Sequence, residues 1–300
     1  MMRIANNQFR SGFAAIIGMP NVGKSTLLNR IAGQKIAIIS AKPQTTRNKI
    51  LAIYTTGDTQ IVFTDTPGIH KPKTRLGEYM VHVANESMNE MDVLLFVVDA
   101  TRPIQKMERE IAVNAGKAGA PCILVLNKVD KVRKENLLPL IADYSNLNTF
   151  HAIVPVSAQT GDGVEILLND ITECLPEGPK FYYDDMITDQ QEKQIAAEII
   201  REKLLWLLDK EVPHGIAIEI EKMEEKKTIT NIAASIYCEK GSHKGIIIGK
   251  NGEMLKKIGS MARTDIEKML DKKVFLQLWV KVKTDWRNNA GLIKSFGYER

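Results

Sequence analysis

Short apolar runs recur along the first part of the 300-residue chain, and segments with helical spacing of apolar and polar residues separate them. Runs that are apolar on both faces and alternate with amphipathic helices are typical of a parallel sheet covered on both sides. A helix is predicted from Ser25 to Ala32, with Gly33 as its stop. The predicted strands are Phe13–Ile17, Gln60–Thr64, Val93–Val98, Ile123–Leu126 and Ala152–Val156.

The pattern changes after residues 176–179, which read Pro-Glu-Gly-Pro and interrupt regular structure. A long amphipathic helix is predicted over Asp189–Leu208, followed by two strands with alternating apolar residues. A glycine-containing loop, a helix to about Leu270 and a strand over Val274–Val282 complete the second half. We therefore predict an α/β fold with a mostly parallel sheet, followed by a smaller α+β domain.

The composition, 44% hydrophobic and 26% charged, is that of a water-soluble globular chain long enough for two domains. The longest apolar stretch, Val93–Val98, is too short to span a bilayer. Met1–Asn7 lacks the apolar core of a signal peptide, so we expect a cytoplasmic location. Cys122, Cys174 and Cys238 are scattered and odd in number, which favours reduced thiols.

The net charge of +5 is unevenly distributed. Residues from Glu239 to Arg300 include 14 lysines and arginines against 7 aspartates and glutamates. The rest of the chain is close to neutral, so a polyanionic partner is expected at the C-terminal end.

Residues 18–25 read Gly-Met-Pro-Asn-Val-Gly-Lys-Ser, the G-x-x-x-x-G-K-S spacing of a phosphate-binding loop. Its backbone N–H groups can surround a triphosphate, Lys24 can reach the β- and γ-phosphates, and the Ser25 hydroxyl can ligate Mg²⁺. The strand before the loop and the helix after it argue against a simple glycine-rich turn. The candidate phosphate-binding residues are Gly18, Asn21, Val22, Gly23, Lys24, Ser25 and Thr26.

Residues 127–130 read Asn-Lys-Val-Asp at the end of a predicted strand and favour guanine over adenine. Asp130 can accept hydrogen bonds from guanine N1–H and the exocyclic amine, and adenine offers no such pair of donors. Asn127 can brace the neighbouring loops, and Lys128 can lie on the purine face. In the segment Ser157, Ala158, Gln159 the Ala158 N–H can donate to guanine O6. GTP and GDP are therefore the expected ligands.

A third segment, Asp65, Thr66, Pro67 and Gly68, follows another predicted strand. Asp65 is expected to hold Mg²⁺ through water, and the Gly68 N–H to sense the γ-phosphate. A switch threonine would complete the metal ligands: Thr46 is preferred, with Thr45 as the alternative. The predicted metal set is Ser25, Thr46 and Asp65, and the predicted catalytic set is Lys24, Thr46 and Gly68.

These motifs, together with Gln44–Asn48, resemble the translation-factor-related bacterial GTPases. The loop Gly249, Lys250, Asn251, Gly252 resembles that of a type II KH domain, and the combination is similar to the Era GTPase family. The resemblance implies a P-loop GTPase domain over residues 1–176, a linker over 177–187 and a type II KH RNA-binding domain over 188–300.

The resemblance also implies a GTP-driven switch that binds single-stranded rRNA at the 3′ end of 16S rRNA and assists assembly of the 30S subunit. Peripheral association with the cytoplasmic membrane is implied as well, and a monomer is expected. RNA phosphates would meet the backbone at Gly249–Gly252, while Lys250 adds charge.

A groove beside this loop is expected to hold four nucleotides. Phe275 and Trp279 share a strand face and are predicted to pack against the helices, with base stacking as the alternative. The predicted apolar floor is Ile246, Ile247, Ile248, Leu255 and Ile258. The candidate cations are Lys256, Lys257, Arg263, Lys281, Lys283 and Arg287.

Ile69 occupies the position where Ras-like enzymes carry the glutamine that orients the attacking water. Isoleucine can neither donate nor accept a hydrogen bond, so another residue or an ion must replace the glutamine, or hydrolysis is slow. The resemblance also suggests a role for Asn21, since some related GTPases use an asparagine at this loop position to ligate K⁺; the alternative is that Asn21 caps a turn. His70, Lys71 and Arg75 are nearby candidates, and exposed loop residues without a role are the alternative for all three.

Two other functions fit parts of the sequence. The chain could be an RNA-modification GTPase, although it has no reactive cysteine motif. It could also be an RNA-binding module whose nucleotide is structural, although such a module has no need of switch threonines.

Overall fold

The computed structural model describes residues 9–88 and 91–298. The prediction about Met1–Asn7 lies outside these residues. The chain divides into two compact units. The first unit comprises residues up to Ala37, Thr46–Lys71 and Met80–Asp189, and the second comprises Ile38–Thr45, Pro72–Tyr79 and residues from Gln190 onward.

The first unit is built on a six-stranded sheet with the order β2-β3-β1-β4-β5-β6. Only β2 pairs antiparallel to its neighbour, and all other pairs are parallel. Pro155 is tolerated in β6 because this strand lies at the edge of the sheet. The strands are β1 (Arg10–Ile17), β2 (Ile50–Thr55), β3 (Thr59–Asp65), β4 (Val93–Asp99), β5 (Cys122–Asn127) and β6 (Ala152–Val156).

Helices cover both faces of this sheet, as predicted. The helices of this part of the chain are α1 (Lys24–Ala32), α2 (Arg75–Glu86), α3 (Lys106–Lys117), α4 (Leu137–Ser145) and α5 (Val164–Cys174). Alternate residues of β4 point to opposite faces, so Leu95 packs in one apolar cluster with α1 and α5, while Phe96 packs in a second with α3 and α4. The parallel strands are therefore buried on both sides and hold their carboxyl-end loops at one edge of the sheet.

The second unit contains a three-stranded sheet, β7 (Ala217–Glu225), β8 (Ile229–Cys238) and β9 (Lys273–Val282), in that order. β7 and β8 form an antiparallel hairpin, and β9 runs parallel to β8. Its helices are α6 (Glu192–Leu207), α7 (Gly241–Ile248), α8 (Glu253–Leu270) and α9 (Ala290–Ser295). α6 and α8 cover one face of the sheet with buried residues such as Ile199, Ile258 and Ile266.

Three predictions differ from the structure. α6 starts at Glu192 instead of Asp189, because Gln191 forms a capping box with Gln194. The predicted linker packs against the first unit: the Phe181 N–H donates to Gln60 Oε1 at 2.7 Å. Phe275 and Trp279 do not pack against helices, since they point to the other face of β9 and are 52% and 44% exposed.

All three cysteines are free thiols, as predicted, and burial raises the pKa of each one. The pKa of Cys122 reaches about 12. Within the part of the chain that the structure describes, no helix has the length and hydropathy needed to cross a bilayer.

Candidate nucleotide site and nucleic-acid groove

The phosphate-binding loop joins β1 to α1 and depends on its two glycines. Gly18 has φ +146°, and a Cβ there would lie 2.3 Å from the Val97 carbonyl oxygen. Gly23 has φ +102°, and a Cβ there would lie 2.1 Å from Asn127 Nδ2. Both conformations and both close approaches exclude larger residues. The Val22 carbonyl accepts from Asn127 Nδ2 at 2.8 Å, so Asn127 braces the loop as predicted.

Lys24 is buried at the end of this loop, where its Nζ donates to the carbonyls of Gly18 at 3.2 Å and Met19 at 3.1 Å. Burial lowers its pKa to about 8, against the opposing effect of the Asp65 carboxylate. A buried ammonium held mainly by carbonyl oxygens gains much from an anion in the loop. The geometry therefore suits a phosphate.

Three predicted metal ligands converge beside Lys24. Ser25 Oγ donates to Asp65 Oδ2 at 2.7 Å and is hydrogen-bonded to Thr46 Oγ1 at 2.9 Å, while Thr46 Oγ1 donates to Asp65 Oδ2 at 3.3 Å. Thr45 points elsewhere, with its hydroxyl donating to the Lys42 carbonyl at 2.7 Å. Thr46 is thus the threonine that reaches the cluster.

Asp65 carries a buried oxygen, Oδ1, that has no hydrogen-bond partner among the described residues. Burial raises its pKa, and Lys24, Ser25 and Thr46 act in the opposite direction. Two hydroxyls and a carboxylate with an unsatisfied oxygen form the hard oxygen donor set that Mg²⁺ prefers. The residues present therefore fit this ion.

The segment after Asp65 is packed closely against the phosphate-binding loop. A Cβ on Gly68 would lie 2.7 Å from the Pro20 nitrogen, so glycine is required there. The Thr66 hydroxyl donates to the Ile16 carbonyl at 2.9 Å, so this side chain anchors the segment to β1 instead of facing a ligand. Ile69 packs into the apolar cluster beside α3, while its N–H donates to the Gly18 carbonyl at 3.1 Å.

The predicted base-binding residues come together after β5 and β6. Asp130 is exposed, and its Oδ1 accepts from Ser157 Oγ at 2.7 Å, which fixes the carboxylate. The Ala158 N–H, predicted to face guanine O6, donates to Asn127 Oδ1 at 3.0 Å. Lys128 Nζ donates to the Asn21 carbonyl at 2.8 Å. The base and phosphate loops are thus tied to each other.

Two residues of this site were missed in the sequence. Asp99, at the end of β4, accepts from Lys128 Nζ at 2.6 Å. Burial alone would raise the pKa of Asp99, but hydrogen bonds, including the one from Lys128, outweigh burial and lower it. Arg30 Nε donates to the Ala158 carbonyl at 3.3 Å, and the same guanidinium contacts the Gln159 carbonyl. The acidic residue ending the strand Val93–Val98 was the available signal for Asp99, and no local pattern marks Arg30.

In the second unit, the Gly249–Gly252 loop forms a tight turn between α7 and α8. Gly249 has φ +74°, and a Cβ there would lie 2.7 Å from Met254 Cβ, whereas Gly252 has φ +80°. Asn251 also has a positive φ, 54°, and its side chain and that of Lys250 are exposed. The turn presents exposed backbone at the start of α8, where an anion is favoured.

A groove of about 500 Å³ runs beside this turn, between α8 and β9. Of the predicted floor residues only Leu255 lines it. Ile247 and Ile258 are fully buried in the core of the unit, whereas Ile246 is 50% exposed and, like the partly buried Ile248, does not line the groove. Of the predicted cations, Lys256 and Arg263 line it. Lys281 instead pairs with Glu221, and Arg287 Nη2 pairs with Glu239 Oε2 at 2.6 Å.

Comparisons with known proteins match both parts of the chain. A family model described as a 50S ribosome-binding GTPase matches residues 13–128, and a KH-domain model matches residues 211–287. Two solved structures of Era superimpose on 97% of this chain and all of their own, at 41% identity. One is from Aquifex aeolicus, bound to GDP and AlF₄⁻, with a TM-score of 0.94. The other is in complex with MgGDPNP and nucleotides 1506–1542 of 16S ribosomal RNA, with a TM-score of 0.93.

Curated relatives give the same result at higher identity. GTPase Era of Ruminiclostridium cellulolyticum is 54% identical over 97% of this chain and 98% of its own length. GTPase Era of Clostridioides difficile is 53% identical over 97% of this chain and 99% of its own length. The predicted family and fold class are therefore confirmed: the chain belongs to the Era family of GTPases, with a P-loop domain that hydrolyses GTP and a KH domain.

Proposed function

We propose that this GTPase is a switch that binds the 3′ end of 16S rRNA through its KH domain and assists assembly of the small ribosomal subunit. The observation that carries the proposal is that one chain combines two features. Side chains suited to phosphate and a metal ion cluster around Lys24, and a basic groove lies beside the Gly249–Gly252 turn. A relative of 41% identity binds MgGDPNP and that part of the rRNA, which supports the same pairing here.

The phosphate chemistry follows from the residues of the first unit. Lys24 and the loop N–H groups would hold the β- and γ-phosphates, and the Gly68 N–H would face the γ-phosphate. Ser25, Thr46 and Asp65 would hold Mg²⁺, which neutralises phosphate charge. Because the Ile69 side chain has no hydrogen-bonding group and packs against the apolar cluster beside α3, it orients no water, and slow basal hydrolysis is expected unless another residue or an ion replaces the glutamine.

Two competing functions are weaker. A protein whose nucleotide is structural would need no cluster linking Thr46 to Asp65. A single-turnover phosphate-release assay separates such a protein, which releases no phosphate, from a GTPase switch. An RNA-modification GTPase would need a folate- or thiol-based chemistry domain, and burial raises the pKa of all three thiols, which disfavours thiol chemistry. The monomeric state and peripheral membrane association rest on the family resemblance alone.

Crosslinking the protein to cellular RNA and sequencing the adducts tests the RNA partner directly. Adducts concentrated at the 3′ end of 16S rRNA are expected, and they should require the Gly249–Gly252 turn. Adducts spread evenly over cellular RNA, or concentrated on tRNA, would contradict the proposal and favour the RNA-modification alternative.

Guanine selection should depend on Asp130. Replacing this carboxylate by the amide of asparagine places an N–H donor against the guanine amine, so Asp130→Asn should weaken GTP binding by roughly 100-fold, about 3 kcal/mol. The variant should in turn accept xanthosine triphosphate, whose 2-oxo group suits an amide donor. Competition between the two nucleotides measures the change, and an unaltered preference would refute the assignment.

Asn21 allows a test of K⁺. It has φ +65°, and its carbonyl accepts from Lys128, so the residue is fixed within the phosphate-binding loop. If Asn21 ligates K⁺ near the β–γ bridge, replacing K⁺ by Na⁺ should slow GTP hydrolysis in the wild type and leave Asn21→Ala unaffected. Equal hydrolysis rates of the wild type in the two salts would exclude the ion.

A further inference from the structure

Arg201, Glu202 and Lys203 are consecutive charged residues of α6, and each is no more than 1% exposed. Such side chains are almost never fully buried unless they are paired. The Lys203 ammonium is paired between helices, since its Nζ donates to Glu202 Oε2 at 2.7 Å and to Asp265 Oδ2 of α8 at 2.5 Å. Arg201 and Glu202 also bind backbone from an earlier part of the chain.

That backbone is the segment Ile38–Thr45, which belongs to the second unit and contains no helix or strand. At its start, the Ile39 N–H donates to Glu202 Oε1 at 3.0 Å. The Ile39 carbonyl accepts from Trp206 Nε1 at 2.8 Å. Both backbone polar groups of Ile39 are therefore satisfied by α6, which fixes the start of the segment.

Arg201 fixes the end of the same segment, next to the switch threonine. Its guanidinium donates to the Thr45 carbonyl and, through Nη1 at 3.5 Å, to the Gln44 carbonyl. The Glu198 carboxylate accepts from Arg201 Nε at 2.8 Å and so holds the guanidinium in place. The Thr45 carbonyl belongs to the planar peptide unit that also contains the Thr46 nitrogen and Cα. Fixing this carbonyl therefore fixes the direction in which the Thr46 backbone begins.

We propose that Arg201 is a positioning residue for GTP hydrolysis and that it acts by orienting Thr46. Thr46 Oγ1 lies 2.9 Å from Ser25 Oγ and 3.3 Å from Asp65 Oδ2, so a small rotation of the Thr46 backbone would move this hydroxyl out of the cluster. The inference rests on the proposed assignment of Thr46 to Mg²⁺. It adds a residue of α6 that lies far along the chain from the phosphate motifs.

The effect of Arg201 should depend on the nucleotide. Switch segments of GTPases contact Mg²⁺ and the γ-phosphate and are released after hydrolysis, so Thr46 serves the GTP-bound state. Because small displacements of a positioned group are costly, loss of Arg201 should lower both kcat and the affinity for the GTP analogue GDPNP by about tenfold. Affinity for GDP should stay within about twofold of the wild type.

The test compares Arg201→Met, Thr46→Ala and the double variant in the whole chain. Phosphate release measures kcat, and fluorescent-nucleotide titrations measure the two affinities. If Arg201 acts through Thr46, Arg201→Met should cause no further loss in the Thr46→Ala background. In the nucleotide-free protein, hydrogen exchange at residues 38–46 should be faster in Arg201→Met, because the segment loses a contact that fixes it.

Arg201→Lys is a second variant, which keeps the proposal testable if the methionine variant does not fold. It retains the buried positive charge opposite Glu198, but an ammonium lacks the planar fork that serves a carboxylate and two carbonyls at once. It should therefore change kcat, GDPNP affinity and hydrogen exchange in the same direction as Arg201→Met.

Ile200→Ala is the matched control, because Ile200 is the neighbouring residue of α6, is fully buried and packs in the apolar core of its unit. Its kcat and nucleotide affinities should equal those of the wild type. Wild-type kcat in Arg201→Met, equal losses of GDP and GDPNP affinity, or additive losses in the double variant would each overturn the proposal. Wild-type turnover in Thr46→Ala would instead overturn the assignment of Thr46 to the metal.

Discussion

Ser25→Ala is expected to abolish Mg²⁺-dependent GTP binding and turnover. Ser25 Oγ lies 2.7 Å from Asp65 Oδ2 and 2.9 Å from Thr46 Oγ1, so its removal deletes one ligand and the hydrogen bond that orients the carboxylate. Loss of a metal that neutralises phosphate charge costs several kcal/mol, so affinity in Mg²⁺ should fall by roughly 100-fold or more. Fluorescent-nucleotide titrations with and without Mg²⁺, and phosphate release, measure both effects.

Ser25→Thr is the control for this change. Threonine keeps the hydroxyl and also satisfies the phosphate-loop pattern, so Mg²⁺ dependence should be retained. Similar thermal midpoints of the two variants would show that the fold is intact. If Ser25→Ala kept wild-type affinity and the same response to Mg²⁺, the metal would have to bind elsewhere.

The double substitution Lys250→Asp with Asn251→Asp is expected to weaken RNA binding by roughly 100-fold near physiological salt, because negative charge would face RNA phosphates at the turn. The slope of log Kd against log salt should become shallower by about 1. GTP affinity and basal turnover should be nearly unchanged, since the turn contributes no residue to the nucleotide site. Any effect of RNA on turnover should disappear.

Lys134→Asp with Asn136→Asp provides a charge-matched control. Lys134 and Asn136 are the same residue types as Lys250 and Asn251 and are exposed in a short turn of the first unit. Their replacement by aspartate changes the net charge by the same amount. RNA affinity in this control should stay close to that of the wild type. Equal losses in both double variants would indicate a long-range charge effect, and no loss in either would mean that RNA binds elsewhere on the protein.

The nucleotide site could be predicted because its geometry is local to short motifs. A strand, a glycine loop and a helix in immediate succession determine where Lys24 and Ser25 point, and Asn127–Asp130 occupies the end of a fully buried strand. The choice between Thr45 and Thr46 could not be made from the sequence. It depends on a contact with Asp65 from a segment without regular structure.

Other features depend on distant contacts and were missed or wrong. β2 was not predicted, although Ile50–Tyr54 is a continuous apolar run. No helix separates it from β3, with which it pairs antiparallel, so it does not fit the alternation of strands and helices from which the other strands were predicted. Gln60 binds the backbone of Phe181 and Tyr182 far along the chain, and thereby holds the predicted linker. The exposure of Phe275 follows from which face of β9 the helices cover, and the alternation of the strand alone could not decide this.

The buried cysteines have a consequence for exposure of the protein to oxidants. A thiol with a pKa of about 12, such as that of Cys122, is ionised in only about one molecule in 10⁵ at pH 7. Peroxide attacks the thiolate, and Cys238 is also enclosed by protein. Sulfenic acid formation at these two positions should therefore be very slow. A single cysteine introduced on the surface would react before either of these two.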